Sequence, residues 1–427
     1  MLGLGLAILG VLLIGGVAIW ATFGGVGILL SSFMEGFPLA FAGQQMYAGM
    51  DKWVVLCLPY FILMGDFMAH SGISRALFQF IDDLVGHVPG GMPAAVVLSC
   101  MVFGSLTGSS IATVIGIGSI AIPELDRLGY PRKFSCGMMA CTGTLGQMIP
   151  PSIYAILYGS LTQLDIAVLF VAQIVPGLVT TALLLVPAVL ISRREGYVSG
   201  HVAASRKQRL HSFTHAVPAL ILPAIVLGGI YGGVFTPTEA AAVGCVYAFL
   251  VGLFVYRGLN MDSIRKALTS SMMTTCTIYL ILAACDLFSK PLASAQIPNH
   301  IAAWIIEMGL SPAGLLVVIS LLYLALGCIL DPVPILFLTV PILFPAVTAV
   351  GIDPVFFNVM TVSWMMVAQI TPPFGISAYA LSGHFREPLI NVFRGAMPFL
   401  AALVVSAFVI TYVPQLSLWL PRLLGIH

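Results

Sequence analysis

GQMIPPS, residues 146–152, and QITPPFG, residues 369–375, each set two adjacent prolines inside an otherwise apolar stretch. Proline lacks the N–H a helix needs, and its ring collides with the carbonyl one turn earlier. In a bilayer the freed carbonyl meets no water, so such a break survives only where protein or a polar cavity surrounds it. Both stretches read Q-x-x-P-P, and both are offset by the same amount: 369 − 147 = 222 and 372 − 150 = 222.

The rest of the chain explains why membrane rules apply. Of 427 residues, 59% are hydrophobic and 8% charged, with mean hydropathy +1.07; soluble domains carry about 25% charged residues. Segments 163–192 and 390–414 are long enough to cross as helices. The alternation a membrane barrel requires is absent. The net charge of +1 says nothing about partners, and no nucleic-acid partner is expected. Basic residues cluster at 127–133, 193–212 and 257–266, which the positive-inside rule places in the cytoplasm. The eight cysteines form no C-x-x-C pair and read as small core hydrophobes. The apolar N-terminus has no basic leader and reads as retained membrane helix.

The 222-residue offset extends well beyond the prolines. Pro123 pairs with Pro345 and Gly129 with Gly351 at 222; Gly86 with Gly309, Pro89 with Pro312, Gly91 with Gly314 and Gly104 with Gly327 at 223. The chain therefore divides into a first repeat (1–192), a basic cytoplasmic loop (193–212) and a second repeat (213–427). The first holds scaffold helices over 1–71, with 2–32 as one long helix or two short ones and 33–52 loop-like. An amphipathic arm at 74–86, a re-entrant hairpin at 92–122, a helix at 133–158 broken over 143–151, and a helix at 163–192 follow. The second holds scaffold helices over 213–288, an arm at 296–308, a hairpin at 312–345, a helix at 353–382 broken over 371–375, and a helix at 390–414. The hairpins read as two half-length helices around turns at Gly104–Ser110 and at Gly327–Pro332. Counting crossings puts the first hairpin on the cytoplasmic side and the second on the outer side, which inverts one repeat relative to the other.

Paired interrupted segments in inverted halves point to a secondary transporter's binding site. Unwound backbone offers carbonyls to a cation, and helix N-termini offer N–H groups to an anion. The candidate cargo residues are Ser105, Thr107, Ser109 and Ser110 at the first tip, Gln147 and Ser152 at the first break, Asp331 at the second tip, and Gln369 and Ser377 at the second break. Small hydroxyl residues also serve helix packing in membranes, and Ser or Thr beside a proline can simply cap freed backbone groups. Asp66 and Asp286 lie in or near membrane segments, and Thr236-Pro237-Thr238-Glu239 reads as a helix-capping box. Patterns for a zinc protease, a serine hydrolase elbow or a phosphate-binding ATPase loop are absent. Neither an enzyme nor a channel finds support.

FGSLTGSSIATVIGIGSI, GYPRKFSCGMMACTGTLGQMIPPSIYAILYG, YGGVFTPTEAAAVG and QITPPFGISAYALSG resemble, in order and over essentially the whole chain, the large (DctM-type) permease subunit of tripartite ATP-independent periplasmic (TRAP) transporters. The first tip departs from many relatives, which carry small residues throughout where this chain has Leu106. The resemblance implies an all-α integral membrane protein of the bacterial inner membrane, an inverted-repeat elevator-type transporter. It implies a separate small four-helix membrane subunit, a soluble periplasmic substrate-binding protein, and Na⁺-driven uptake of organic acids such as C4-dicarboxylates or sialic acid. It places sodium, at two or more sites, where tips meet broken helices: Ser105, Gly108, Thr142, Gly143 and Pro150 on one side, Gly327, Asp331, Thr371, Pro372 and Gly375 on the other. No organic cofactor is expected. The alternative is a stand-alone Na⁺/dicarboxylate symporter of the same architecture.

Overall fold

The computed structural model describes residues 2–33, 39–197, 203–307, 311–373 and 375–426. Gly309, Phe374, the end of the second arm at 308 and part of the basic loop, 198–202, fall outside these. Described secondary structure is all helical. Among the described residues, seven helices are long and apolar enough to cross a membrane.

The first half runs α1 (Leu2–Ile14), α2 (Ile19–Ser32), α3 (Leu39–Met50), a short turn of 3-10 helix (Trp53–Leu56), α4 (Cys57–Ser71), α5 (Ile73–Val85), α6 (Gly91–Thr107), α7 (Ser110–Arg127), α8 (Arg132–Thr142), α9 (Leu145–Met148), α10 (Ile153–Thr162) and α11 (Ile166–Arg194). The second runs α12 (Arg206–Tyr231), α13 (Pro237–Leu250), a π-helical turn (Val251–Val255), α14 (Met261–Ser294), α15 (Ile297–Glu307), α16 (Pro312–Gly327), α17 (Pro332–Ala349), α18 (Pro354–Ala368), α19 (Ile376–Phe385), α20 (Leu389–Tyr412) and α21 (Gln415–Leu423). Four matched helix starts keep the offset: 332 − 110 = 222, 354 − 132 = 222, 376 − 153 = 223 and 389 − 166 = 223.

Packing sorts these helices into two groups. α14 lies against α2, α3 and α4, α13 against α4, and α12 against α13 and α5. Separately, α20 packs on α8, α11 and α18, while α6 packs on α7, α9 and α11. The amphipathic α5 joins the groups, burying Ile73, Leu77, Phe78 and Ile81 while Arg75 and Gln79 stay exposed. α8 and α20 cross so closely that a Cβ on Gly137 would fall 2.1 Å from the Gly395 carbonyl carbon. No side chain fits there, so the two backbones touch.

Several boundaries differ from the sequence reading. Residues 2–32 take the second of the two expected forms, two helices parted at Gly15–Gly16, where Gly16 takes φ +75°. Residues 39–50, expected as loop, are helical. The basic stretch 193–212 is not all loop: α12 starts at Arg206, and the Ser205 side chain and Gln208 cap each other. That Ser-x-x-Gln box was readable in the sequence. The Thr236–Glu239 box forms as expected. The hairpin helices are not half-length. They hold 17 and 18 residues in the first pair and 16 and 18 in the second, about 24–27 Å each. The first tip is also shorter than expected, because Gly104–Thr107 continue α6 and only Gly108 and Ser109 lie between the helices. All eight cysteines are free, six of them buried; Cys276 is exposed and Cys328 half-buried, so these two are not core residues.

Candidate functional site

Each hairpin tip rests on the break of the broken helix in its own half, and equivalent residues make the contact. A Cβ on Gly104 would lie 2.7 Å from the Gly146 Cα, and a Cβ on Gly327 would lie 2.0 Å from the Ala368 Cβ. These partners are themselves a matched pair, since 368 − 146 = 222. Next along the chain, a Cβ on Gly108 would lie 3.0 Å from the Pro151 carbonyl oxygen, while the Cys328 thiol donates to the Pro372 carbonyl at 3.5 Å. Glycine is required at 104 and 327 because nothing larger lets tip and break meet. The Pro150-Pro151 and Pro372-Pro373 bonds are both cis.

The first tip is knit by its own hydroxyls. Gly108, at φ +61°, ends α6 and donates its N–H to the Gly104 carbonyl at 2.8 Å. Ser109 caps α7, accepting from Ala112 N–H. The Thr107 and Thr113 hydroxyls share a 3.0 Å bond, and Thr113 donates to the Ser109 carbonyl at 2.7 Å. The Gln147 amide donates to the Ser110 hydroxyl and to the Tyr154 hydroxyl, both at 3.2 Å. Ser152 caps α10 and donates back to the Gln147 carbonyl.

The second tip is less self-sufficient. Asp331 stands at the N-cap of α17, but its side chain makes no capping bond. The Gln369 Oε1 and Ser377 Oγ atoms are buried without a hydrogen-bond partner, as is Gln147 Oε1 in the first half. Leaving such an atom unpaired costs about 1–3 kcal/mol.

Between the tips lies a cavity of about 330 Å³. Of the residues named from sequence, Gly108, Ser109, Ser110, Asp331 and Gln369 line it. Gln147 stands one hydrogen bond behind, through Ser110. The others do not reach it. Ser105 donates to the Val102 carbonyl, Thr142 to Met138 and Thr371 to Val367, each a bond back along its own helix. Thr107 turns into the tip. Ser152 and Ser377 are buried beside their breaks, and neither Gly143 nor Gly375 lines the cavity. Gly143 packs instead on Val114 of α7, and Gly375, at φ +51°, on Phe393.

The remaining wall was not read from the sequence. Tyr154, Ile111, Ile153 and Val333 contribute, and α14 closes the far side with Met273, Thr274, Thr277, Ile278 and Ile281. Positions i, i+1, i+4, i+5 and i+8 form one helical face. In sequence that face looks like any membrane helix, so the one available signal was the pair of threonines. No Lys, Arg or His is among the described lining residues, and Asp331 is the single charged one. The other intramembrane acids are spoken for elsewhere: Asp66 accepts from the Ser271 hydroxyl at 2.6 Å, and Asp286 pairs with Lys52 at 3.5 Å.

A wider cavity of about 910 Å³ opens where α5, α7, α12 and the bend after α13 meet. A third adjoins it, sharing Arg75, Gln79, Asp83 and Ile120. Their walls include Arg127, Lys207 and Gly258, so all three basic stretches reach the same end of the molecule.

Residues 6–416 match the family described as the tripartite ATP-independent periplasmic transporter, DctM component. The chain is 39% identical to the C4-dicarboxylate TRAP transporter large permease protein DctM of Pseudomonas aeruginosa, over 89% of each chain. It is 33% identical to the sialic acid TRAP transporter large permease protein SiaM of Vibrio cholerae, over 94% of this chain and 97% of that one. Its fold is similar to that of the YdaH transporter of Alcanivorax borkumensis, with a TM-score of 0.64 over 95% of this chain and 98% of that one at 12% identity. A multi-pass helical chain with this match along almost its whole length is a transport permease and not an enzyme; it belongs to the DctM-component family of TRAP transporters.

Proposed function

We propose that the chain is the transport subunit of a Na⁺-coupled importer of small organic acids, fed by a soluble binding protein and paired with a small membrane subunit. C4-dicarboxylates are the first cargo class, on the strength of the 39% identity to a permease named for them. One observation carries the Na⁺ coupling. The cavity between the tips holds a carboxyl group, Asp331, and no basic side chain among its described lining. A carboxylate entering beside Asp331 meets repulsion that a low-dielectric site makes expensive. Cations must arrive with it. Na⁺ is a hard ion suited to oxygen donors, and the buried, unpartnered Oε1 atoms of Gln147 and Gln369 supply them, together with backbone carbonyls freed at the two breaks. The N-terminal N–H groups of α7 and α17 face the same space from opposite tips and favour an anion between them.

The coupling follows from this arrangement. With Na⁺ bound, the site is complete for the cargo; without it, the cargo's charge is uncompensated. The two tips and two breaks travel together as one body, because each tip is locked to its break at Gly104 and Gly327. The group containing α2, α3, α4, α12, α13 and α14 stays as scaffold, and the moving group passes along it in an elevator motion. The Gly and Pro matches and the two equivalent tip-on-break contacts support the inverted-repeat, re-entrant reading of the hairpins.

The test is reconstitution with the small subunit and the soluble protein. Succinate uptake is expected to require a Na⁺ gradient and both partners. Uptake by this chain alone assigns it instead to the stand-alone symporters.

A further inference from the structure

The two cavities differ in charge, and the same helix lines both. Ser110 and Ile111 of α7 border the cavity between the tips. Ser119 and Ile120 border the wider one, nine residues on, about 13 Å along the helix. The wider cavity gathers Arg75 from the polar face of α5 and Lys207, His211 and His215 from α12. Its one acidic lining residue, Asp83, accepts from the Gln79 amide at 3.3 Å. Neither Arg75 nor Lys207 forms an ion pair among the described residues. The His215 ring stacks on Tyr256, which donates its hydroxyl to the His215 carbonyl at 2.6 Å. This fixes one wall. Where Gly258 meets Ser71 the backbones touch, because a Cβ would fall 2.1 Å from the Ser71 carbonyl oxygen. That closes one end.

We propose that this wider cavity is an anion-binding vestibule, in which a small mono- or dicarboxylate released from between the tips is held before it escapes at the basic end. The inference rests on the transport reading above. With Arg75 and Lys207 unpaired among the described residues against one carboxylate, Asp83, the lining carries a net positive charge, which attracts small anions and raises their local concentration. The cavity between the tips does the opposite once its cations have left. The pair forms a downhill step for an anion: ejected beside Asp331, received beside Arg75 and Lys207. A soluble anion is favoured over a lipid headgroup because the lining is the polar face of α5 and serines from α5, α7 and α12, and because the route from the cargo site along α7 leads there.

The vestibule can be probed without transport. Ser119 is exposed, and a Ser119→Cys reporter in a Cys276→Ser/Cys328→Ser background can be tested in inside-out vesicles holding the chain with its small subunit. Two thiol reagents of similar size, methanethiosulfonates bearing a sulfonate or a trimethylammonium group, then report the local potential. The anionic reagent should gain ~10-fold over the cationic one relative to their rates with a free thiol. Arg75→Gln/Lys207→Gln should erase that preference, and succinate or inorganic phosphate should slow the modification. A ratio equal to the free-thiol value overturns the proposal. So does a preference that the double variant leaves intact, or protection that follows the anionic lipid content of the vesicles instead of added succinate. In uptake assays the double variant should lower the maximal rate and leave the Na⁺ requirement unchanged. If the reporter behaves as expected while wild-type uptake ignores Na⁺, the vestibule stands and the coupling reading falls.

Discussion

The two hairpin tips hold equivalent positions but solve their hydrogen bonding differently. At the first, Thr107, Ser109, Thr113, Ser152 and the Gln147 amide N–H satisfy one another and the backbone around Gly108, and Gln147 Oε1 alone among these side-chain atoms is left without a partner. At the second, the Asp331 side chain forms no full capping bond, and among the described residues Gln369 Oε1 and Ser377 Oγ have no partner. A buried polar atom without a partner is costly unless something else binds it. On the proposed reading, the first tip serves mainly shape and the second mainly ligands.

Substitutions can break or sharpen that contrast. The largest effect is expected at Asp331. Asp331→Asn keeps the shape and removes the charge, and should cut Na⁺-driven uptake by about 100-fold, equivalent to ~3 kcal/mol. Ser110→Ala at the first tip should cost only a few-fold in the same assay. Equal losses would erase the distinction between the tips. Next come the tight contacts. Gly327→Ala drives a methyl into Ala368 and should destabilise the folded subunit by about 1–3 kcal/mol. Gly104→Ala, facing Gly146, should do so by less; both are read from thermal unfolding in detergent.

The glutamines give a smaller but more diagnostic split. Gln147→Ala removes the partner of Ser110 and Tyr154 as well as a proposed Na⁺ donor, and should lower stability by about 1 kcal/mol together with Na⁺ affinity. Gln369→Ala should leave stability nearly unchanged and raise the half-saturating Na⁺ concentration several-fold. Ser109→Ala should raise the Na⁺ requirement more than it lowers expression, whereas Thr371→Ala, which loses only the bond to the Val367 carbonyl, should leave the Na⁺ requirement unchanged. Smallest of all, Thr277→Val on α14 should shift cargo affinity about two-fold, seen by competition between succinate and longer dicarboxylates.

Much of this was legible from backbone-shaping residues. Pro150-Pro151 and Pro372-Pro373 marked the breaks, Gly104 and Gly327 the approaches, and Thr236–Glu239 a helix start, because each restricts local geometry whatever surrounds it. Asp331 and Gln369 were legible because polar groups are rare in apolar segments. Other features were not, for physical reasons. The polar-flecked helix at 39–50 is stabilised by packing on α14, a contact that local composition does not encode. The α14 face carries Met, Thr and Ile, residues equally at home against lipid. Ser105, Thr142 and Thr371 looked like ligands, yet their hydroxyls bond back along their own helices, and sequence does not distinguish the two uses. Tyr154 sits two residues past Ser152, and its rotation into the cavity depends on how the first break kinks.

The central claim is that cations supply the charge the cavity between the tips lacks. Cargo-stimulated ²²Na⁺ uptake, in proteoliposomes holding the complete transporter, tests it most directly. Succinate delivered by the soluble protein should draw Na⁺ in with it, more than one ion per dianion, and Asp331→Asn should abolish that flux. Succinate accumulation at full rate with no accompanying ²²Na⁺ would contradict the account.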